Sequence, residues 1–272
     1  PAQAASVKIL LVSDLHYALK QFDWIAAEAR HFDAVILAGD HIDIAGQLDG
    51  GVQVLVILKY LKRLAAETRV LVSSGNHDLD TRDAAGEKTA SWMRRVRDLG
   101  IPSDGESVMF GDTLITICPW WDGPVSREGV GALLARDAAK PKARWLWIYH
   151  APPANSPTAW NGRRFYGDED LSAWIALYQP DIVFAGHIHE APFKAGGSWA
   201  DQLGRTWVFN CGRQIGPTPT HIAINTEARE AAWFSLAGAE LVRLDAPLAR
   251  PLLVLESPPA WLNTPVRDRS PA

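Results

Sequence analysis

The stretch VKILLVSDLH, residues 7–16, decides the fold of this chain. An apolar, β-rich run over residues 7–12 ends abruptly in small and polar residues, and a helix-compatible stretch follows. The same pattern occurs again at residues 34–38 and 69–73. The stretches between these runs, residues 22–30 and 52–66, have the length and apolar spacing of crossover helices. Strands joined by crossover helices pair in parallel, so the first third predicts a parallel sheet.

Polar residues follow each of these three strands. They are SDLH at residues 13–16, GDHID at residues 39–43 and SGNHD at residues 74–78. In a parallel α/β sheet, ligands bind outside the carboxyl ends of the strands. We therefore expect these three segments to contribute to one site.

The second half of the chain has shorter predicted strands. They cover residues 113–118, 144–149, 181–185, 205–210, 221–225 and 231–236, and helices are expected at residues 87–99, 126–138 and 169–178. The last three strands follow one another without helices, which predicts a meander within a second, mixed sheet. The overall prediction is an α/β fold in one domain over residues 1–244. Six prolines after residue 245 predict an irregular tail over residues 245–272, with residues 252–255 and Trp261 holding it to the domain.

Composition disfavours several classes of protein. The 272 residues carry a formal net charge of -4, which gives no overall field that would attract nucleic acid or an anionic membrane. No run approaches the roughly 18 apolar residues of a membrane-spanning helix. Two cysteines, Cys118 and Cys211, are too few for a disulfide framework and favour a reducing compartment. We expect a cytoplasmic protein.

Histidines are concentrated at the predicted strand ends. Five of the eight histidines lie in polar clusters there, namely His16, His77, His150, His187 and His189. A single histidine in such a place is more often a hydrogen-bonded core residue, but five of them together with Asp14, Asp40 and Asn76 indicate a shared metal site. Imidazole and carboxylate ligands suit Mn, Fe, Zn or Co, whereas an all-oxygen set would suggest Mg or Ca. The absence of cysteine ligands argues against a structural zinc site.

Five motifs occur in a defined order between residues 14 and 189. They are Asp14-x-His16, Gly39-Asp40, Gly75-Asn76-His77-Asp78, His150 and Gly186-His187-x-His189. This ordered set resembles the calcineurin-like metallophosphoesterase superfamily. The resemblance implies two stacked mixed β-sheets flanked by helices, with the metals at one sheet edge.

The resemblance also implies roles for individual residues. One metal ion would be bound by Asp14, His16 and His189, and the other by Asn76, His150 and His187. Asp40 would bridge both ions, which are expected to be two divalent or trivalent transition metals, Mn, Fe or Zn. His77 would stabilise or protonate the leaving oxygen, and Asp43 would orient the His77 ring. For His41, packing is favoured over ligation.

Residues that could contact the substrate are less well defined by the sequence. Three segments qualify: Trp120-Trp121-Asp122, residues 155–166 with Arg163 and Arg164, and Arg213 in the segment Asn210-Cys211-Gly212-Arg213. An arginine in any of them could bind a phosphate oxygen through two hydrogen bonds. Most of the twelve tryptophans must serve packing, so the sequence does not rank the three segments.

The predicted function is hydrolysis of a phosphodiester or phosphomonoester by a hydroxide activated between two metal ions. The expected substrate is a small phosphorylated molecule, with nucleotides among the candidates. Two alternatives stay open. A nuclease would need a basic groove with stacking aromatics, and a non-catalytic binding module on the same fold would be expected to have lost metal ligands. No membrane association is expected, and the sequence does not predict the oligomeric state.

Overall fold

The structure is a computed structural model that describes residues 7–264 and residue 266. In chain order, the strands are β1 Lys8–Val12, β2 Ala34–Ala38, β3 Arg69–Ser73, β4 Thr81–Arg82, β5 Lys88–Thr89, β6 Ser107–Phe110, β7 Thr113–Ile117, β8 Arg144–Ile148, β9 Ile182–Ala185, β10 Ala200–Leu203, β11 Thr206–Asn210, β12 His221–Asn225, β13 Glu230–Ser235, β14 Gly238–Arg243 and β15 Leu253–Val254. The α-helices are α1 Leu19–Glu28, α2 Gly50–Glu67, α3 Met93–Asp98, α4 Pro124–Ala138 and α5 Glu169–Tyr178. Short 3-10 helices cover Ala29–His31, Asn76–Asp78, Pro157–Ala159, Ala191–Phe193 and Ala260–Asn263.

Two mixed sheets form the centre of the fold. The first has the strand order β15-β14-β13-β12-β1-β2-β3, and the second has the order β10-β11-β9-β8-β7-β6. Strands β1, β2 and β3 pair in parallel, as do β7, β8, β9 and β11. The prediction of an α/β fold with two mixed sheets is confirmed.

Alternating side chains of the strands build three apolar layers. On β1, Ile9 and Leu11 join the cluster between the sheets, whereas Leu10 and Val12 join the cluster beneath α1 and α2. A third cluster lies under α4 and α5, where Trp147 and Val183 cover the outer face of the second sheet. Successive side chains of a strand point to opposite faces, so strands this apolar must be covered on both sides. The result is a sandwich of two sheets flanked by helices.

The predicted meander in the second sheet is wrong. Strand β11 lies in the second sheet, but β12 and β13 belong to the first, where β12 pairs antiparallel with β1. The reason lies in β1, all of whose residues are buried. Such a strand cannot end a sheet, because its unpaired backbone groups would be left without partners. Strand β12 supplies the second neighbour.

The helix predicted at residues 87–99 is partly wrong. It begins only at Met93, and residues 81–89 instead form a hairpin of β4 and β5. The Glu87 carboxylate accepts hydrogen bonds from Val125 N and Ser126 N, both at 2.8 Å. Glu87 thus satisfies free amides at the amino end of α4, which holds the hairpin against that helix.

The described residues after 250 contact the first sheet at several points, including a hydrogen bond of 2.5 Å that Lys8 Nζ donates to Thr264 O. Strand β15 pairs with β14, and Trp261 Nε1 donates a hydrogen bond of 2.8 Å to Glu230 Oε2. The domain boundary at residue 244 stays a prediction. Among the described residues, no helix combines the length and the apolar character needed to cross a membrane.

Candidate metal centre

The predicted ligands follow strands of both sheets. Asp14, Asp40 and Asn76 lie just after β1, β2 and β3, and His150 and His187 lie just after β8 and β9. These strands are parallel within their sheets, so their carboxyl ends meet at one edge of the sandwich. Residues that are far apart in sequence therefore come together there.

The loops at this edge have unusual backbone conformations. Asp14, His16, Asp40 and His187 have φ angles of +55°, +41°, +57° and +69°. A positive φ is unfavourable for residues with a side chain and occurs where the surrounding structure enforces it, often at functional sites. Here the loops hold each other, since Asp14 N donates to Gly39 O at 3.0 Å and His16 N donates to Asp40 O at 2.9 Å.

Gly75 makes room for two of the predicted ligands. A Cβ atom at this position would lie 2.2 Å from Asp40 Oδ1 and 2.8 Å from His150 Nε2. Real Cβ atoms do not approach other atoms this closely, so any larger residue would displace Asp40 or His150. The glycine before Asn76 is thus a requirement of the site.

A first group of possible metal ligands consists of Asp14, His16, Asp40 and His189. Their ligand atoms all lie within 4.8 Å of one another. His16 Nε2 is 3.1 Å from His189 Nε2, and His189 Nε2 is 3.3 Å from Asp14 Oδ1. Two imidazoles and two carboxylates with converging atoms could hold one divalent cation.

A second group consists of Asp40, His150 and His187, and Asp40 belongs to both groups. His150 Nε2 lies 3.2 Å from Asp40 Oδ2, yet it makes no hydrogen bond of acceptable geometry. The amide oxygen Oδ1 of Asn76 is also buried without a hydrogen-bond partner. Buried polar atoms are nearly always paired, so these two atoms require an explanation, and a bound cation would satisfy both. The residues present therefore fit a metal ion.

Ionisation states in the site also suit metal binding. Burial, more than any other influence, lowers the pKa of His16 and of His187 to about 4, so both rings are neutral at pH 7. Burial opposes ionisation of Asp14 and Asp40, but the nearby histidines, chiefly His189 for Asp14 and His150 for Asp40, hold both pKa values below the usual range. Neutral imidazole and ionised carboxylate are the forms that bind metals.

His150 and His189 differ from His16 and His187. Burial disfavours the charged form of both rings, but Asp14 raises the pKa of His189, and Asp40 and then Asp14 raise the pKa of His150 to about 9. His150 Nδ1 donates a hydrogen bond of 2.6 Å to Ala38 O, which leaves Nε2 facing Asp40. A backbone carbonyl that fixes the ring in this way is typical of histidine ligands.

Asp78 holds two loops of the site together, a role that was not expected from the sequence. Its carboxylate accepts hydrogen bonds from Asp40 N and Gly75 N, both at 2.8 Å, and from His41 N at 2.9 Å. It thereby ties the loop after β2 to the loop after β3. The sequence showed Asp78 only as the last residue of Gly75-Asn76-His77-Asp78. Nothing in that pattern distinguishes a buried carboxylate that accepts backbone amides from a solvated one.

His41 lies away from the two ligand groups. Its Nε2 is 2.9 Å from Ser73 O, and its ring packs edge-on against Trp92 with 5.8 Å between centroids. The structure thus gives His41 a packing position.

His77 lies beside the first group. Its ring meets His16 edge-on, with 4.6 Å between centroids, and its backbone N donates to Asp40 Oδ1 at 2.8 Å. The ring atom Nδ1 is buried without a partner. Asp43 is not its hydrogen-bond partner. Asp43 Oδ1 instead accepts from Ala45 N at 2.9 Å, because the chain turns there, and no hydrogen bond or ion pair joins Asp43 to His77.

Two of the three candidate substrate segments border the site. The Trp120 ring lies 5.2 Å from the His187 ring and 5.7 Å from the His150 ring, measured between centroids. On the other side, Arg213 N donates to His189 O at 3.1 Å. Arg213 therefore lies next to His189 in the structure.

In the remaining segment, residues 155–166, the two arginines are exposed, whereas Ser156, Thr158 and Ala159 are buried. Arg163 and Arg164 are both at the surface, and the Arg164 guanidinium lies 4.1 Å from the centroid of the Tyr166 ring. No contact of either side chain with the two ligand groups is found in the structure.

The fold and these ligand groups define a metal-binding α/β protein with its site at the edge of a two-sheet sandwich. The sequence model of the calcineurin-like phosphoesterase family matches residues 7–191, and the chain belongs to that family. Membership of this family supports the prediction of a hydrolase that acts on phosphoester bonds. The resemblance inferred from the five motifs is confirmed.

The comparison with solved structures found matches at low sequence identity. The structure of TT1561 of Thermus thermophilus has a TM-score of 0.55 and 15% identity, covering 88% of this chain and 100% of that chain. A conserved uncharacterized protein from Streptococcus pneumoniae, a predicted phosphoesterase, has a TM-score of 0.39 and 14% identity, covering 93% and 98%. Vacuolar Protein Sorting 29 from Cryptosporidium parvum has a TM-score of 0.40 and 13% identity, covering 87% and 96%. The search of curated proteins gave no significant match.

Proposed function

We propose that this chain is a two-metal phosphoesterase that hydrolyses a small phosphomonoester or phosphodiester. The observation that supports this most directly is the position of Asp40, which belongs to both ligand groups. A carboxylate can present one oxygen to each of two cations roughly 3.5–4 Å apart. Asp14, His16 and His189 would complete one ion's ligands, and Asn76, His150 and His187 the other's.

The ligand atoms favour Mn, Fe or Zn. They combine imidazole nitrogens with carboxylate and amide oxygens, and both cysteines of the chain are buried thiols outside the ligand groups. Two such ions, when bound, would supply a nucleophilic water at neutral pH and charge that neutralises the phosphoryl oxygens.

The residues of the chain would provide the remaining functions. Arg213, next to His189, would bind a phosphoryl oxygen through its guanidinium and orient the ester. His77 would hold a proton for the leaving oxygen, because its ring borders the first ligand group without itself belonging to either group. A proton delivered to that oxygen is most valuable when the leaving group is an alkoxide.

Two other functions have weaker support. A nuclease would need a basic groove with stacking aromatics, and the net charge of -4 does not favour one. A non-catalytic binding module would not need intact ligand groups, yet every predicted ligand is present here. The compact spacing of the motifs resembles that of small phosphodiesterase-like members of the family, which gives a phosphodiester substrate a slight preference over a phosphomonoester.

A substrate panel tests the proposal. Metal-stripped protein would be assayed with and without Mn on a nitrophenyl phosphomonoester, a bis-nitrophenyl phosphodiester and single-stranded DNA. We expect Mn-dependent hydrolysis of at least one small ester and little cleavage of DNA. Hydrolysis of DNA alone would support the nuclease. Mn binding without hydrolysis of any of the three would support the binding module.

A further inference from the structure

A cleft beside the metal centre has no role in the mechanism described above. We call it the Trp120 cleft. It has a volume of about 680 Å³ and lies between α3, α4 and the β4–β5 hairpin. Trp120 lines this cleft and also contacts the rings of His150 and His187. One aromatic side chain thus borders both the metal centre and the cleft.

The wall that carries Trp120 is tied to the metal-binding loop. Trp120 N donates a hydrogen bond of 3.0 Å to Ser74 Oγ, and Ser74 Oγ donates to Asp104 Oδ2 at 2.6 Å. Ser74 precedes Asn76 by two residues. The cleft therefore keeps a fixed position relative to the metal centre, and a substrate that spans both would meet a preformed surface.

All but one of the charged residues that line the cleft have hydrogen-bond or ion-pair partners. Among the lining residues, Arg97 donates to Asp104 O at 2.9 Å, and Arg136 is paired with Asp137. The lining carboxylates are engaged as well, since Asp83 accepts two backbone amides and Asp104 accepts both bonds from Ser74. Arg94 is exposed, and within the described part of the chain its side chain makes no hydrogen bond or ion pair.

We propose that the Trp120 cleft binds a second anionic group of the substrate, with Arg94 as its cationic contact. This inference rests on the proposed phosphoesterase function. It narrows the substrate class to phosphoesters that carry a further phosphate or carboxylate beyond the phosphate at the metals. Trp120 would pack against the part of the substrate that connects the two charged groups, such as the sugar of a nucleotide.

Helix α3 offers a matched control in Arg95. Arg94 and Arg95 are adjacent and exposed, but Arg95 lines a different cavity, with Asp43 and Leu48. Arg94→Ala and Arg95→Ala change the net charge equally. A difference in binding between the two variants therefore indicates binding in the cleft, whereas a general effect of surface charge would appear in both variants.

The test compares adenosine 3′-monophosphate with adenosine 3′,5′-bisphosphate on Mn-loaded protein. Binding would be measured by calorimetry, and inhibition of nitrophenyl ester hydrolysis would be measured in parallel. We expect tighter binding of the bisphosphate by wild type. Arg94→Ala should weaken bisphosphate binding by about three- to tenfold while changing monophosphate binding by less than about twofold. Arg95→Ala should leave the ratio of the two affinities within about twofold of wild type.

Two results would overturn the inference. One is an unchanged affinity ratio in Arg94→Ala, and the other is an equal loss in Arg94→Ala and Arg95→Ala. Failure of the proposed function is a separate outcome, because it would appear as the absence of Mn-dependent ester hydrolysis by wild type. Calorimetry does not depend on turnover, so it still decides between the two arginines in that case.

Discussion

At the scale of single residues, Asp40 connects the two halves of the metal centre. Its Oδ2 lies 3.2 Å from His150 Nε2 and 3.8 Å from His16 Nε2. Replacement of this carboxylate by an amide removes a negative charge that both ions would share. We expect Asp40→Asn to lower turnover more than His16→Ala when both variants are assayed at saturating Mn. If Asp40→Asn kept most of the wild-type turnover while His16→Ala did not, the bridging role would be wrong.

His77 should affect the rate more than the metal content. General acid assistance is typically worth about 10²–10⁴-fold, and poor leaving groups need it most. His77→Ala should therefore lose more activity on an alkyl phosphoester than on a nitrophenyl ester, with the bound metal unchanged. The measurements are kcat/KM on both esters and elemental analysis. Loss of a metal ion with equal losses on both esters would instead identify His77 as a ligand.

Asp104 should make stability depend on pH. Burial raises the pKa of its carboxyl to about 7, despite the hydrogen bonds from Ser74. The unfolded chain ionises this group near its ordinary pKa of 3.8, so its contribution to stability falls as the pH rises from about 4 to 7 and is constant above. Asp104→Asn removes this dependence and still offers an acceptor to Ser74 N.

Urea unfolding at pH 5 and pH 8 tests this effect. The stability of Asp104→Asn relative to wild type should be higher at pH 8 than at pH 5. An equal difference at both pH values would mean that the carboxyl ionises normally in the folded protein.

The sequence predicted the candidate ligands better than the residues that support them. Asp14, His16, Asp40 and the later histidines stand out because metal-binding residue types are rare at so many strand ends. Asp78 could not be recognised, since its function is to accept backbone amides from two loops, and only the folded structure brings those amides together. The family resemblance suggested Asp43, three residues after Asp40, as the partner of His77, and the structure shows no hydrogen bond or ion pair between the two.

At the scale of loops and strands, the loop after β3 depends on a glycine. A Cβ at position 75 would meet Asp40 Oδ1 at 2.2 Å, so Gly75→Ala should displace the carboxylate and abolish metal binding. The sheets do not depend on this position, and circular dichroism should be close to wild type. Gly50→Ala is the matched control, because a Cβ there meets nothing within 4 Å. Full metal binding by Gly75→Ala would show that the loop can relax around the added methyl group.

The strands that are joined by crossover helices could be predicted from the sequence. The order in which the strands of the second half of the chain pair could not. The bounds of β2, β3 and α5 agree with the sequence prediction, because their apolar runs end sharply. The pairing of β12 with β1 is a long-range contact between residues about 210 positions apart, and local periodicity carries no information about it. Strand β14 was missed because Glu240 and other polar residues interrupt its apolar pattern.

At the scale of the whole molecule, the sandwich creates the site. The first sheet supplies Asp14, Asp40 and Asn76, and the second supplies His150, His187 and His189. Each ligand group combines residues from both sheets, so neither sheet alone supplies a complete group. Metal binding should therefore be lost when the two sheets separate.

The number of metal ions that the reconstituted chain holds decides whether the centre is dinuclear. Metal-stripped protein would be reconstituted with excess Mn, Fe or Zn, freed of unbound metal and analysed for metal and protein content. We expect close to two ions per chain, because six Asp and His residues form two groups that share Asp40, and the buried Oδ1 of Asn76 is a seventh potential ligand. A reproducible value of one ion per chain with each of the three metals would contradict the two-metal centre.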